Sequence, residues 1–301
     1  MKSLIVICTF NPNSDLLNKV LESCIKQSIA SRIVIVDSAG TTNVAKLAAI
    51  EFRTEYKYCE KVGIAEARYL ALKQQRSDEL LIFVDDDNVL EANFVMFALE
   101  NANNNLHWGV FGGRLVLPVD YKIPVLILPF LPYLAIKDLG PLPRENKASL
   151  YWNELEPPGA GLCIRYEVTS KFLDSISSSG SDFFQVGAIG NKQFRGEDSY
   201  IARQAHFLNL HWGYDPRMIL THRFDKSRLK VVYLVKLLVR YGVSDVRLNH
   251  ALHIEPQYPY PWNTKLLCIG LIYHLRKGIS GTPTALRLIG QFLASRKSKS
   301  I

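Results

Sequence analysis

Short apolar runs alternate with helix-period stretches through the first hundred residues. Leu4–Thr9, Ile33–Asp37 and Leu80–Asp85 are runs of strand length that end on polar residues, as strands buried on both faces do. Tyr56–Glu60 reads as a further short strand. Between them, Asp15 reads as the expected cap of a helix whose Leu16, Val20, Leu21 and Ile25 fall at helical spacing. Asn43–Ile50, Ile64–Lys73 and Glu91–Asn101 have the same period. This βαβα rhythm predicts an α/β fold with a mostly parallel central sheet flanked by helices on both faces.

Beyond residue 100 the pattern loosens. Val110–Val116 and Gly159–Ile164 read as strands, Ser175–Asp182 as a Ser-rich loop, and Asp198–Phe207 as a helix. Residues 117–150 are rich in Pro and large apolar side chains, centred on Ile123–Tyr133. A lid, an acceptor groove, a membrane-facing surface and an insertion packed on the core all fit that composition. From about Phe224 the chain turns basic, with helices at Val231–Tyr241, Asn263–Arg276 and Pro283–Ser295. The expected division is a catalytic domain over 1–222 and a basic, mainly helical extension over 223–301.

Charge sharpens that division. The net charge is +8, yet from Arg223 onward 14 Lys and Arg face 3 Asp and Glu, so the first 222 residues are slightly acidic. The interleaved Arg228–Arg240 stretch suits helices lying on an anionic membrane. It equally suits helices packed on the domain with a solvated basic face. No nucleic-acid-binding motif accompanies the charge. The five cysteines are odd in number and widely spaced, so they outline neither a disulfide framework nor a zinc site and point to a reducing cytosol. The apolar run Leu4–Ile7 is too short for a signal peptide, and no run approaches the ~20 residues of a spanning helix. A cytoplasmic protein, peripheral at the inner face of the plasma membrane if the tail binds lipid, is the expectation.

Open α/β sheets bind ligands at the carboxyl ends of their strands. Here those ends carry Thr9 and Asn11, Asp37 and Ser38, and Asp85-Asp86-Asp87 with Asn88. Three adjacent carboxylates repel one another unless a cation is shared among them. Hard oxygen ligands suit Mg²⁺ or Mn²⁺, which are usually shared with substrate phosphates. Gly196-Glu197-Asp198 opens a helix, where a carboxylate is either a cap or a general base. His222 is either structural or a further metal ligand. Gly159-Ala160-Gly161 is either a tight turn or a place where a ligand nears the backbone. Gly63 to Arg68 begins a helix whose N–H groups suit phosphate or ribose, with Arg68 a donor contact or a salt-bridge partner.

Taken in order, these landmarks resemble the family 2 glycosyltransferases with a GT-A, Rossmann-like fold. They are Cys8-Thr9-Phe10-Asn11, Val36-Asp37-Ser38, Gly63 to Arg68, Phe83-Val84-Asp85-Asp86-Asp87, Gly159-Ala160-Gly161, Gly196-Glu197-Asp198 and His222. The resemblance implies inverting transfer of a sugar from a nucleotide-diphosphate donor to a hydroxyl of a saccharide or lipid-linked acceptor, in bacterial-type polysaccharide or glycan assembly. It implies donor contacts at Thr9, Asn11, Asp37, Arg68, Asp85 and Asp86, and a Mn²⁺ or Mg²⁺ ion on Asp87, Asp85 and His222. It makes Asp198 the base with Glu197 beside it, and Gly159, Ala160 and Gly161 the acceptor side. The chain departs from the family after Asp37, where Ser38-Ala39-Gly40 stands, and at Lys61-Val62, which leaves the base of the nucleotide open. The Gln-x-x-Arg-Trp motif of processive synthases is missing, favouring single addition.

Two other functions fit less well. A sugar-1-phosphate nucleotidyltransferase would carry a Gly-rich basic loop after the first strand, where Cys8–Pro12 has none. A catalytically degenerate scaffold would not need both the Asp cluster and Glu197-Asp198.

Overall fold

A computed structural model of the chain describes residues 1–179, 182–187, 195–257, 260–261 and 263–297. Its strands are β1 (Lys2–Thr9), β2 (Arg32–Ser38), β3 (Glu55–Cys59), β4 (Glu79–Asp85), β5 (Asn88–Leu90), β6 (Trp108–Val116), β7 (Arg144–Lys147), β8 (Cys163–Ile164) and β9 (His211–His222). Its helices are α1 (Ser14–Ile25), α2 (Val44–Glu51), α3 (Ile64–Leu72), α4 (Phe94–Asn104), α5 (Tyr166–Ser179), α6 (Glu197–Phe207), α7 (Val231–Ala251), α8 (Thr264–Leu275) and α9 (Thr282–Lys297).

The strands form one sheet in the order β3-β2-β1-β4-β8-β6-β9-β5, with β7 added along β9. The β3-β2-β1-β4 half is parallel, as the βαβα rhythm predicts. Beyond it the sheet is mixed: β8 is antiparallel to both β4 and β6, while β6 and β9 run parallel. Two-residue periodicity in the buried strands serves two cores. Leu4, Val6, Leu81 and Phe83 face one cluster with α3, α5 and α6, and Ile5, Ile7, Ile82 and Val84 face another with α1, α2 and α4. Covering both faces explains why these strands lack polar alternation.

Several elements differ from the sequence expectation. Ser175–Ser179 continues α5, because Phe172 and Ile176 lie one turn apart and are buried in the core. The helix read from Glu91 starts at Phe94. Gln27, two residues past α1, reaches across to take the Val95 N–H at 3.0 Å and to donate to the Glu91 carbonyl at 2.9 Å, fixing a turn before the helix. Of Gly159–Ile164, only Cys163–Ile164 is strand. Gly161 sits at φ +72°, a left-handed conformation that turns the chain onto β4. Helix α7 runs ten residues past Tyr241.

The Pro-rich segment is an insertion packed on the body. Its 3-10 stretch Val125–Leu134 buries Ile127, Phe130 and Leu134 against Phe224 and against Leu234, Leu237 and Leu238 of α7. At its far end α7 buries Leu248 and Ala251 in the core beneath α6. Leu234, Leu237 and Leu238 of the Arg228–Arg240 stretch are thus covered by protein, while Val231, Val232 and Val235 stay exposed. Among the described residues no helix is long and apolar enough to cross a membrane.

Candidate active site

The carboxyl ends of β1, β2 and β4 lie side by side, with Thr9 paired to Asp37 and Cys8 to Asp85 in register. Thr9 Oγ1 donates to Asp86 Oδ2 across that junction. The acidic cluster turns immediately into β5, where Asn88 fixes it: Asn88 Oδ1 accepts from the Asp85 N–H, and its Nδ2 donates to Asp87 Oδ1, both at 3.0 Å. The last residue of β9, His222, pairs with Asn88 in the ladder. Its Nε2 lies 3.2 Å from Asp87 Oδ1. Arg228, from the turn before α7, stands 3.6 Å from the other Asp87 oxygen.

The three carboxylates differ electrostatically. Burial raises Asp85, with Arg68 pulling the other way and Asp87 adding repulsion. Burial likewise lifts Asp86 to about 6, against the Thr9 hydrogen bond. For Asp87 burial also acts upward, but the His222 hydrogen bond and the charges of His222 and Arg228 outweigh it and leave the group below its ordinary value. Asp85 and Asp86, crowded and held above their ordinary range, are carboxylates whose repulsion a cation would relieve. The buried His222 Nδ1 has no hydrogen-bond partner among the described residues. Carboxylates with one imidazole are donor types that suit Mn²⁺ or Mg²⁺, although Asp85, Asp87 and His222 do not bring three ligand atoms within 4.8 Å of one another.

Arg68 of α3 is the link to the second half of the site. It is buried, stacks its guanidinium 5.2 Å from the Phe83 ring centroid, and lies 3.6 Å from Asp85 and 3.4 Å from Glu197. Its Nε and Nη1 have no hydrogen-bond partner among the described residues. Glu197 is buried beside it. Burial raises its pKa and Arg68 opposes that rise. The neighbouring Asp198 is half-buried and accepts from the Gly159 N–H at 2.9 Å. A Cβ at Gly159 would meet Arg68 Nη2 at 2.2 Å, so this glycine makes room for the arginine. Ala160 and Gly161 are buried, and the Gly161 N–H donates to the Phe83 carbonyl at 2.9 Å. The α6 N-terminus is held from α7, whose Ser244 accepts from the Arg195 N–H at 2.9 Å.

On the β2 side Asp37 is buried, accepting from the Gly40 N–H and the Tyr56 hydroxyl, both at 3.0 Å. Asn11, at φ 47°, spends its side-chain oxygen on the N–H groups of Thr41 and Thr42 and so ties the first loop to the second. The fold thus gathers Thr9, Asp85, Asp86, Asp87, His222, Arg68, Glu197, Asp198 and Gly159 into one chain of contacts, with Asp37 and Asn11 on its flank. Arg228, Asn88 and Tyr56 also belong there. The sequence placed Asn88 at a strand end but gave it no task. Arg228 and Tyr56 carry no motif that would have marked them.

A separate cluster occupies the far end of β9, roughly 35 Å along the strand from His222. His107, Glu145 and His211 bring their ligand atoms within 4.8 Å of one another. Glu145 of β7 pairs with His107 at 2.6 Å and accepts from the Trp108 indole N–H, clamping the edge strand to β6.

Residues 4–134 match the family model Glycosyl transferase family 2. No curated protein sequence matches the chain. Among solved structures, the mannosyltransferase PcManGT from Pyrobaculum calidifontis, in complex with GDP-Man and Mn²⁺, aligns over 95% of this chain and 73% of its own, with 16% identity and a TM-score of 0.55. Glucosyl-3-phosphoglycerate synthase from Mycobacterium tuberculosis, with Mg²⁺ and uridine-diphosphate, covers 85% of this chain and 81% of its own at 14% identity and TM-score 0.52. S. aureus TarS covers 97% of this chain and 55% of its own at 12% identity and TM-score 0.53. Residues 4–134 therefore match the family 2 glycosyltransferase model, and the chain shares its fold with these solved structures.

Proposed function

We propose that the chain transfers one sugar, with inversion, from a nucleotide-diphosphate donor to a hydroxyl of a saccharide or lipid-linked acceptor, at the cytoplasmic face of a membrane where glycans are assembled. The observation that carries the reading is Arg68, buried and bridging Asp85 of the acidic cluster to Glu197 beside Asp198. That bridge joins a diphosphate-binding end to a proton-accepting end within one site.

Asp198 removes the proton from the acceptor hydroxyl. The acceptor oxygen then bonds to the anomeric carbon as the bond to the diphosphate oxygen breaks on the opposite face. The Gly159 N–H orients the carboxylate for this step. Glu197 holds Arg68, and the buried guanidinium sets a positive charge beside Asp85 on the donor side. Asp85, Asp87 and His222 would hold a divalent cation, which would neutralise charge on the departing diphosphate. Thr9 and Asp86 fix the floor of the donor pocket, with Asp37 and Asn11 ordering the loops around the nucleoside. Residues 1–222 act as the catalytic domain, and α7 of the 223–301 extension braces it.

The test is a panel of nucleotide-sugars with Mn²⁺, read by thermal shift and by nucleoside diphosphate release. Asp198→Asn is expected to abolish transfer while donor binding persists; retained turnover rejects Asp198 as base. Pyrophosphate release from a nucleoside triphosphate would instead make the chain a nucleotidyltransferase. Neither product would make it a scaffold.

A further inference from the structure

Helix α8 has no buried residue, although it is predominantly apolar. One edge lies against α9, where Gly270 leaves only 2.9 Å between an added Cβ and Leu288. The other edge carries Leu266, Ile269, Ile272 and Tyr273 at helical spacing, with Ile269 and Ile272 each 55% exposed. The surface continues onto Ile279 in the 278–281 turn. That turn touches both α8 and the Val125–Leu134 segment, where Val125 is 78% exposed. Soluble surfaces rarely leave so many large apolar side chains contiguous without a partner.

Charge identifies the partner. Residues 256–301 contain seven Lys and Arg and no Asp or Glu. Lys265, Arg276 and Lys277 flank the apolar stripe at the two ends of α8, all exposed. A second copy of the same face would bring like charges together. A protein partner or an anionic lipid surface would not, and a 12-residue helix with an apolar stripe between cations has the form of an interfacial element. At about 18 Å it is too short to cross a bilayer.

We propose that α8, the 278–281 turn and the exposed part of 125–134 form a docking face for an anionic lipid bilayer, with α8 lying in the headgroup plane. The stretch Arg228–Arg240, by contrast, spends its buried side on the body. The inference adds a docking element to the membrane-side reading of the acceptor. Binding is measured without sugar transfer, so failure of one leaves the other standing.

Cys268 lies on α8 and is exposed, whereas the other four cysteines are buried. It can therefore carry an environment-sensitive fluorophore. The full chain is floated with phosphatidylcholine vesicles and with vesicles containing about one-third phosphatidylglycerol. The expected result is flotation and a blue shift of the label with the anionic vesicles alone, weakened by high salt. The double variant I269S/I272S, both positions exposed, is expected to keep its thermal melt and its turnover on a water-soluble acceptor while losing lipid binding about tenfold or more. The proposal is overturned if the wild type binds neither vesicle, or binds both alike. It is equally overturned if the variant floats like the wild type, or if light scattering shows a dimer that I269S/I272S dissolves.

Discussion

Gly159 and Asp198, 39 residues apart, meet through one hydrogen bond of 2.9 Å, and the glycine also gives Arg68 its place, since a Cβ there would lie 2.2 Å from the guanidinium. A small substitution therefore acts on both ends of the site. G159A is expected to displace Arg68, to cost about 1–3 kcal/mol of stability through overpacking, and to lower kcat by on the order of tenfold or more through misplacement of the base. Steady-state kinetics beside a urea melt check this. An unchanged kcat would mean that the turn yields without moving Arg68.

Arg68 is buried between two carboxylates, so removing its charge is worse than removing one partner's. R68M is expected to destabilise by about 3–5 kcal/mol because it leaves Glu197 and Asp85 uncompensated. E197Q costs less, since Asp85 still balances the guanidinium. The double variant R68M/E197Q should recover part of the loss. Strict additivity in the denaturation midpoints would deny the coupling.

Asp87 and His222 are joined at 3.2 Å and close the acidic cluster from the β9 side. D87A is expected to abolish Mn²⁺ binding in calorimetry, and H222A to weaken it by about 10–100-fold. If D87A titrates like the wild type, the cation belongs elsewhere. The His107–Glu145–His211 cluster is then the next place to look, through H107A.

Acid stability depends on a pair remote from the active site. Glu79 is buried and accepts from Arg32 Nε at 2.9 Å, from Arg32 Nη2 at 2.8 Å and from the Arg76 N–H at 2.9 Å. Burial alone would raise its pKa, but these donors bring it below the ordinary 4.5. A depressed folded-state pKa contributes stability that is complete above about 4.5 and is lost as pH falls through the folded value. E79Q is expected to be less stable than the wild type at neutral pH, with the gap closing below about pH 4. Urea midpoints measured across that range check it, and a constant gap would contradict it.

The motifs needed no tertiary information to be seen. The β1, β2 and β4 runs are apolar at successive positions because both faces are covered, and each stops where its carboxyl end meets solvent. Thr9, Asp37 and Asp85-Asp86-Asp87 stand at those stops, so their gathering at neighbouring strand ends was legible. Strand β7 was not, because Arg144–Lys147 is exposed along its length and becomes a strand only by pairing with β9. Most of β9 was missed for a related reason: Gly213, Asp215 and Pro216 break the apolar pattern, and the ladder to β6 absorbs them through a bulge.

The sequence by itself thus determined the order of strands and helices in the first hundred residues, the acidic cluster at a strand end, and the uneven charge that ends in a basic extension. Those features are local, set by periodicity and by which side chains tolerate burial. The tertiary structure alone decided that Arg68 answers to Glu197, that Arg228 reaches Asp87, and that Leu234, Leu237 and Leu238 of α7 pack inward while α8 faces out. Each depends on side chains brought together across many intervening residues, where the cost of burying a charge selects its partner and sequence distance carries no information.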